Sequence, residues 1–147
     1  MIRGRFIEDR PFLRAEVVVP AEDRAGRVRT HTASLDFQVD TGSDVTTIAR
    51  ADFERLLGLS LTQAQRGAQS VGIGAAVPSR IIWAYLFFDD EHGGRCVAAT
   101  TLVILETEPH EQMHSRSVLG LDVLLLGRLS LERDSVSLDL PIAEPAG

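Results

Sequence analysis

In Ser34-Leu35-Asp36-Phe37-Gln38-Val39 the apolar side chains fall at every second position with polar ones between. Only an extended chain, whose successive side chains point to opposite faces, gathers that pattern on one side, so the stretch predicts a half-buried β-strand. Similar signals recur along the chain. Phe12 to Val19 is rich in β-branched residues and runs into Pro20, which has no N–H for a ladder and is expected to end the strand. The polar stretch Ala21 to Arg27, with Gly26, predicts a turn, after which the chain returns through Val28 to Val39. Ile81 to Phe88 and Cys96 to Leu105 flank Gly93-Gly94 and predict a hairpin at the heart of a sheet. Ser117 to Gly120 reads as a short strand, and Val136 to Leu140 as a last one stopped by Pro141. Helical patterning is confined to Ala51 to Leu57, with Phe53, Leu56 and Leu57 on one face and a stop at Gly58, and to Asp122 to Leu129. The expected class is all-β.

A chain of 147 residues with 44% hydrophobic and 24% charged content can build one packed core, so one domain over 1–147 is expected, with a frayed tail at about 141–147. The formal net charge of -6 argues against a nucleic-acid module held by a basic face. All basic residues are Arg, which discriminates no function. Cys96, alone of its kind, lies in an apolar stretch and reads as an inert buried thiol, compatible with a reducing compartment. The N-terminus lacks the apolar block of a signal peptide, and the apolar run Ile81 to Phe88 is far short of the roughly 18 residues of a membrane helix. No membrane contact and a cytoplasmic location are the expectation.

The chemistry-bearing candidate is Asp40-Thr41-Gly42-Ser43, where an amphipathic strand delivers a carboxylate directly into a turn. Taken alone, Asp40 is open to a simpler reading as a turn residue whose side chain accepts a hydrogen bond from the backbone two residues on. Its context adds an apolar strand before it and, much later, Val118-Leu119-Gly120 ahead of a helical segment. With these features the stretch from Leu35 to Leu140 resembles the retropepsin-like aspartic proteases, single-domain relatives of pepsin. The resemblance implies a closed, one-lobed barrel with one or two short helices. It also implies that Val118, Leu119 and Gly120 support the catalytic loop, and that Val71 to Arg80 supplies a flap whose substrate-facing part is Gly72, Ile73 and Gly74.

Hydrolysis by this route needs two carboxylates sharing one proton, one to activate water and one to polarise the carbonyl. This chain has one such motif, so the resemblance implies a homodimer in which each copy lends Asp40, with a polypeptide as substrate. Thr41 would turn its hydroxyl to main chain across that dimer, and Gly42 would let backbone and substrate approach closely. Ser43, where viral members often carry Ala, would contact substrate or hydrogen-bond the carboxylate. One departure stands out: viral members often place an Arg after the late Gly to pair with the residue at Asp44, whereas Leu121 stands here, leaving Arg50 or Arg128 as candidates.

Elsewhere the signals are bland. His110 and His114 have the i, i+4 spacing of a helical metal pair, but Pro109 and polar neighbours suggest a loop, while His31 and His92 read as a strand-face and a turn residue. Asp89-Asp90-Glu91 reads as a solvated hairpin tip, and Val71-Gly72-Ile73-Gly74 lacks the remaining features of a dinucleotide loop. No cofactor and no metal are indicated. The reading set against the protease is a dimerisation or peptide-binding module on the same fold without chemistry.

Overall fold

The alternation at Ser34 to Val39 lies on the second half of a strand, Val28–Val39, in the computed structural model, with Leu35, Phe37 and Val39 buried and Asp36 and Gln38 turned away from the core. The structure describes residues 1–67, 70–72, 75–106 and 116–141. In chain order their elements are β1 (Ile2–Arg3), β2 (Arg5–Ile7), β3 (Arg10–Glu22), β4 (Val28–Val39), α1 (Arg50–Arg55), β5 (Gln65–Arg66), β6 (Ser70–Gly72), β7 (Ala75–Val77), β8 (Ser79–Asp89), β9 (Arg95–Leu105), β10 (Val118–Leu119), α2 (Leu121–Leu124), β11 (Arg128–Leu131) and β12 (Val136–Asp139). The class is all-β.

Two long antiparallel ladders form the frame. β3 pairs with β4 from Phe12↔Gln38 to Glu22↔Val28, and β8 pairs with β9 from Ser79↔Leu105 to Asp89↔Arg95. At the first turn the Asp23 carboxylate accepts from the Ala25 and Arg27 amides, and Gly26 takes φ +75°, a conformation an L side chain resists. The ladders join where β3 meets β8 between Glu16 and Val18. Pro20 does not end β3 as the sequence predicts. By that point β3 has parted from β8, so the missing N–H costs no ladder bond on that side.

The expected closed barrel is also corrected. The seven-stranded sheet runs β10-β4-β3-β8-β5, with β2 on β3 and β9 on β8, and its ladders do not return on themselves among the described residues. β1-β12-β11 form a second sheet, and β6 and β7 a hairpin with Gly72 opposite Ala75.

One core of interlocked apolar side chains lies between these layers, including Leu13, Val17, Phe37, Phe53, Leu86 and Ile104, none of them accessible to solvent. Of the predicted face of α1, Phe53 and Leu57 enter this core but Leu56 is exposed, and Gly58, at φ +68°, follows as the stop. The helix expected over Asp122 to Leu129 shrinks to α2. Gly127 lies against the Asp139 carbonyl, where a Cβ would come within 2.2 Å, so the chain turns there into β11 and pairs with β12. Cys96 is buried beside the Leu140 carbonyl, and burial pushes its thiol up. The Asp89-Asp90-Glu91 turn is not simply solvated: Asp90 is buried, pairs with the Met1 ammonium and caps the His92 amide, and Glu91 pairs with Arg3.

Candidate active site

β4 ends at Val39, and Asp40 continues its outward-facing register as a partly exposed residue at the mouth of a tight turn. Its carboxylate Oδ1 accepts the Gly42 amide at 2.9 Å, and its carbonyl accepts the Ser43 amide at 3.2 Å. The first of these bonds is the local turn contact that the simpler reading of Asp40 expects. It also fixes one carboxylate oxygen relative to the backbone. Thr41 and Gly42 are exposed, and a Cβ at Gly42 would stand 3.2 Å from Asp40 Oδ1, tight enough to disturb the carboxylate.

What distinguishes this turn is its anchorage. β10 lies parallel to β4, with Val118 opposite Gln38 and Leu119 opposite Val39, so the Asp40 amide donates to the Leu119 carbonyl at 3.1 Å. The chain leaving the turn comes back along the other edge of β10, where Thr47 and Val118 exchange two bonds of 2.9 Å. Thr46 and Ile48 then bond to Val103 of β9. Next, the Leu121 amide donates to the Ser43 carbonyl at 2.8 Å and the Asp122 amide to the Asp44 carbonyl at 3.2 Å. Gly120 is obligatory at this crossing, since a Cβ there would meet the Val45 carbonyl oxygen at 2.3 Å. The structure therefore brings Asp40, Thr41, Gly42 and Ser43 together with Val118, Leu119 and Gly120.

The strongest support comes from residues the sequence did not single out. Asp122 Oδ1 accepts the Thr46 hydroxyl at 2.7 Å, and its Oδ2 accepts the Thr46 amide at 3.1 Å and the Thr100 hydroxyl at 2.8 Å. Thr46 Oγ1 in turn accepts the Gly120 amide at 3.1 Å. One carboxylate thus ties the loop, the crossing and β9 together, and it satisfies donors on buried Thr46 and Thr100. Ser117 does the same for α1, accepting the Ala49 amide and donating to Asp52. A carboxylate two residues after an apolar-apolar-Gly segment, together with adjacent threonines after the turn, was the available signal.

Other expected contacts are redirected. The Ser43 hydroxyl donates to the Val45 carbonyl at 2.8 Å rather than to the Asp40 carboxylate. Arg50 pairs with Glu54 and donates to the Glu106 carbonyl, so it does not serve Asp44, which has no ion pair among the described residues. Gly72 lies on the β6–β7 hairpin, while Ile73 and Gly74, like His110 and His114, lie outside the described residues. Among the described residues no group of three or more His, Cys, Asp or Glu could hold a metal, and no helix is long and apolar enough to cross a membrane.

No family model and no curated protein matches the chain. Among solved structures it is similar to EIAV protease complexed with the inhibitor HBY-793, at 18% sequence identity and a TM-score of 0.48, covering 81% of this chain and 88% of that one.

Proposed function

We propose that the protein is an aspartic endopeptidase that works as a homodimer, with Asp40 of each copy forming the catalytic pair. The observation that carries this reading is the anchorage of Asp40. A partly exposed carboxylate stands at the end of a core strand, on a turn tied to β10 and to the Gly120–Asp122 crossing. A group that only reverses the chain needs no such buttressing. A catalytic carboxylate does, because small displacements from the reacting geometry cost rate heavily.

In the pair, one carboxylate takes a proton from water as the water attacks the scissile carbonyl, and the protonated partner donates a hydrogen bond to the carbonyl oxygen. The proton then passes to the leaving amine as the C–N bond breaks. Two like charges at hydrogen-bonding distance do not ionise together, so activity is expected between about pH 3 and 7. Thr41 is positional, Gly42 and Ser43 border the substrate, and the flap assigned to Gly72, Ile73 and Gly74 closes over it.

One observation favours a module without chemistry: Asp40 Oδ1 already accepts the Gly42 amide as an ordinary turn carboxylate would. Peptide-library cleavage across that pH range separates the readings. The wild-type protein is expected to cleave and Asp40→Asn to fall to background while remaining folded. Cleavage by the Asn variant at the wild-type rate overturns the enzyme reading, and no cleavage by the wild type hands the fold to the module.

A further inference from the structure

Outward-facing positions on β4 continue away from Asp40 through Gln38 to Asp36, and there the surface changes character. Arg14, directly opposite Asp36 on β3, and Arg5, on β2, both donate to the same Asp36 oxygen, at 3.3 and 2.9 Å. Arg3 stands beside them but is engaged by Glu91. Together with Gly4 and Phe12 these residues line an open cleft of about 450 Å³. Outside the lining, the Arg116 guanidinium lies 5.7 Å from the Phe12 ring centroid and pairs with Glu8 at 3.4 Å. The lining thus holds three arginines and one carboxylate; with Arg3 taken up by Glu91, the unmatched positive charge falls on Arg5 and Arg14, which share one acceptor. In a chain of net charge -6 this is a local reversal of sign.

We propose that this cleft is a subsite for an acidic side chain of the polypeptide substrate, and so sets a preference for Glu or Asp away from the scissile bond; this rests on the protease reading of Asp40. A guanidinium that shares its acceptor has N–H donors left over, and a second carboxylate satisfies them with the charge complementarity that Asp36 alone does not complete. Distance fits as well. Asp36 and Asp40 are four residue steps apart, about 13 Å at the usual strand rise, the span of about four extended peptide residues.

The test uses the full chain carrying Asp40→Asn, so that peptides bind without turnover. Two fluorescent peptide libraries differ only in Glu against Gln at positions three to five residues either side of the centre. The Glu library is expected to bind about tenfold more tightly, with the advantage shrinking as salt rises. Arg5→Gln with Arg14→Gln is expected to erase the difference. Both side chains are more than 60% exposed, so the double variant should fold, which circular dichroism checks. Equal binding of the two libraries, no binding of either, or a Glu preference that survives the double substitution overturns the subsite. The protease reading is judged separately: cleavage by the wild type without acidic preference sinks the subsite alone, and arginine-dependent Glu binding without wild-type cleavage sinks the protease alone.

Discussion

Removing the Asp122 carboxylate would leave the Thr46 amide, the Thr46 hydroxyl and the Thr100 hydroxyl without their acceptor in surroundings that admit little water. Asp122→Ala is therefore expected to lower stability by about 2–4 kcal/mol, read as a shifted urea midpoint with an unchanged slope. A loss below about 0.5 kcal/mol would show that the Thr46 and Thr100 donors find other partners, and that the loop is held by main chain alone. The sequence does not join the two signals, a carboxylate after Gly120 and threonines after the turn, because Asp122 and Thr46 stand 76 residues apart. The position of Asp40, at a strand end and in a turn, was legible for the opposite reason. Its strand pattern, its turn residues and its exposed end position are all written within a few neighbours. The Ser43 hydroxyl shows where such local reading stops: its type suggested a bond to Asp40, but the Val45 carbonyl two residues on is its acceptor.

Among the elements, the turn that joins β3 to β4 is held by main-chain bonds from Asp23 to Arg27 and from Gly26 to Asp23, and by the Asp23 carboxylate. The Arg27 amide first, then the Ala25 amide and the Arg29 guanidinium, hold the Asp23 carboxyl below the usual carboxylate range. A carboxyl with a depressed folded-state pKa stabilises the fold above the unfolded-state value of about 3.9 and loses that contribution as pH falls through the folded-state value. Asp23→Ala should accordingly melt below wild type at pH 7, with the two melting temperatures converging as the solution is taken below pH 4. A gap that stays constant down to strong acid would mean that the Asp23 charge is not what holds the turn. The span of β4, Val28–Val39, was readable in full because alternation and a polar, Gly-containing turn bracket it. Asp122 to Leu129 was misread because a short apolar run has no decisive period. The close approach of Gly127 to the Asp139 carbonyl, set by the pairing of β11 with β12, decides where α2 stops.

For the molecule as a whole, strand content was legible and closure was not, since alternation says which face of a strand is buried but not whether the last ladder meets the first. The proposed site is complete only with a second copy. Leu125, Leu126 and Leu131, close to the β1-β12-β11 sheet, are at least half exposed or nearly so at 75%, 50% and 49%, which is apolar surface a partner would cover. Sedimentation is expected to show a two-subunit species at micromolar concentration. A monomer at high micromolar concentration, with or without peptide, would remove the paired site. The parallel seat of β10 beside β4 also has a kinetic consequence. Joining Val118 to Gln38 closes a loop spanning β5 to β9, an entropic cost that the local β3–β4 and β8–β9 hairpins do not bear. Leu119→Ala, at a fully buried position, should cost about 3 kcal/mol and appear almost wholly as faster unfolding, with the refolding rate little changed. Slowed refolding instead would place β10 in the folding nucleus. If β10 docks late, a chain still on the ribosome can carry both finished hairpins and an exposed Asp40, yet hold no rigid site until Val118 and Leu119 have emerged.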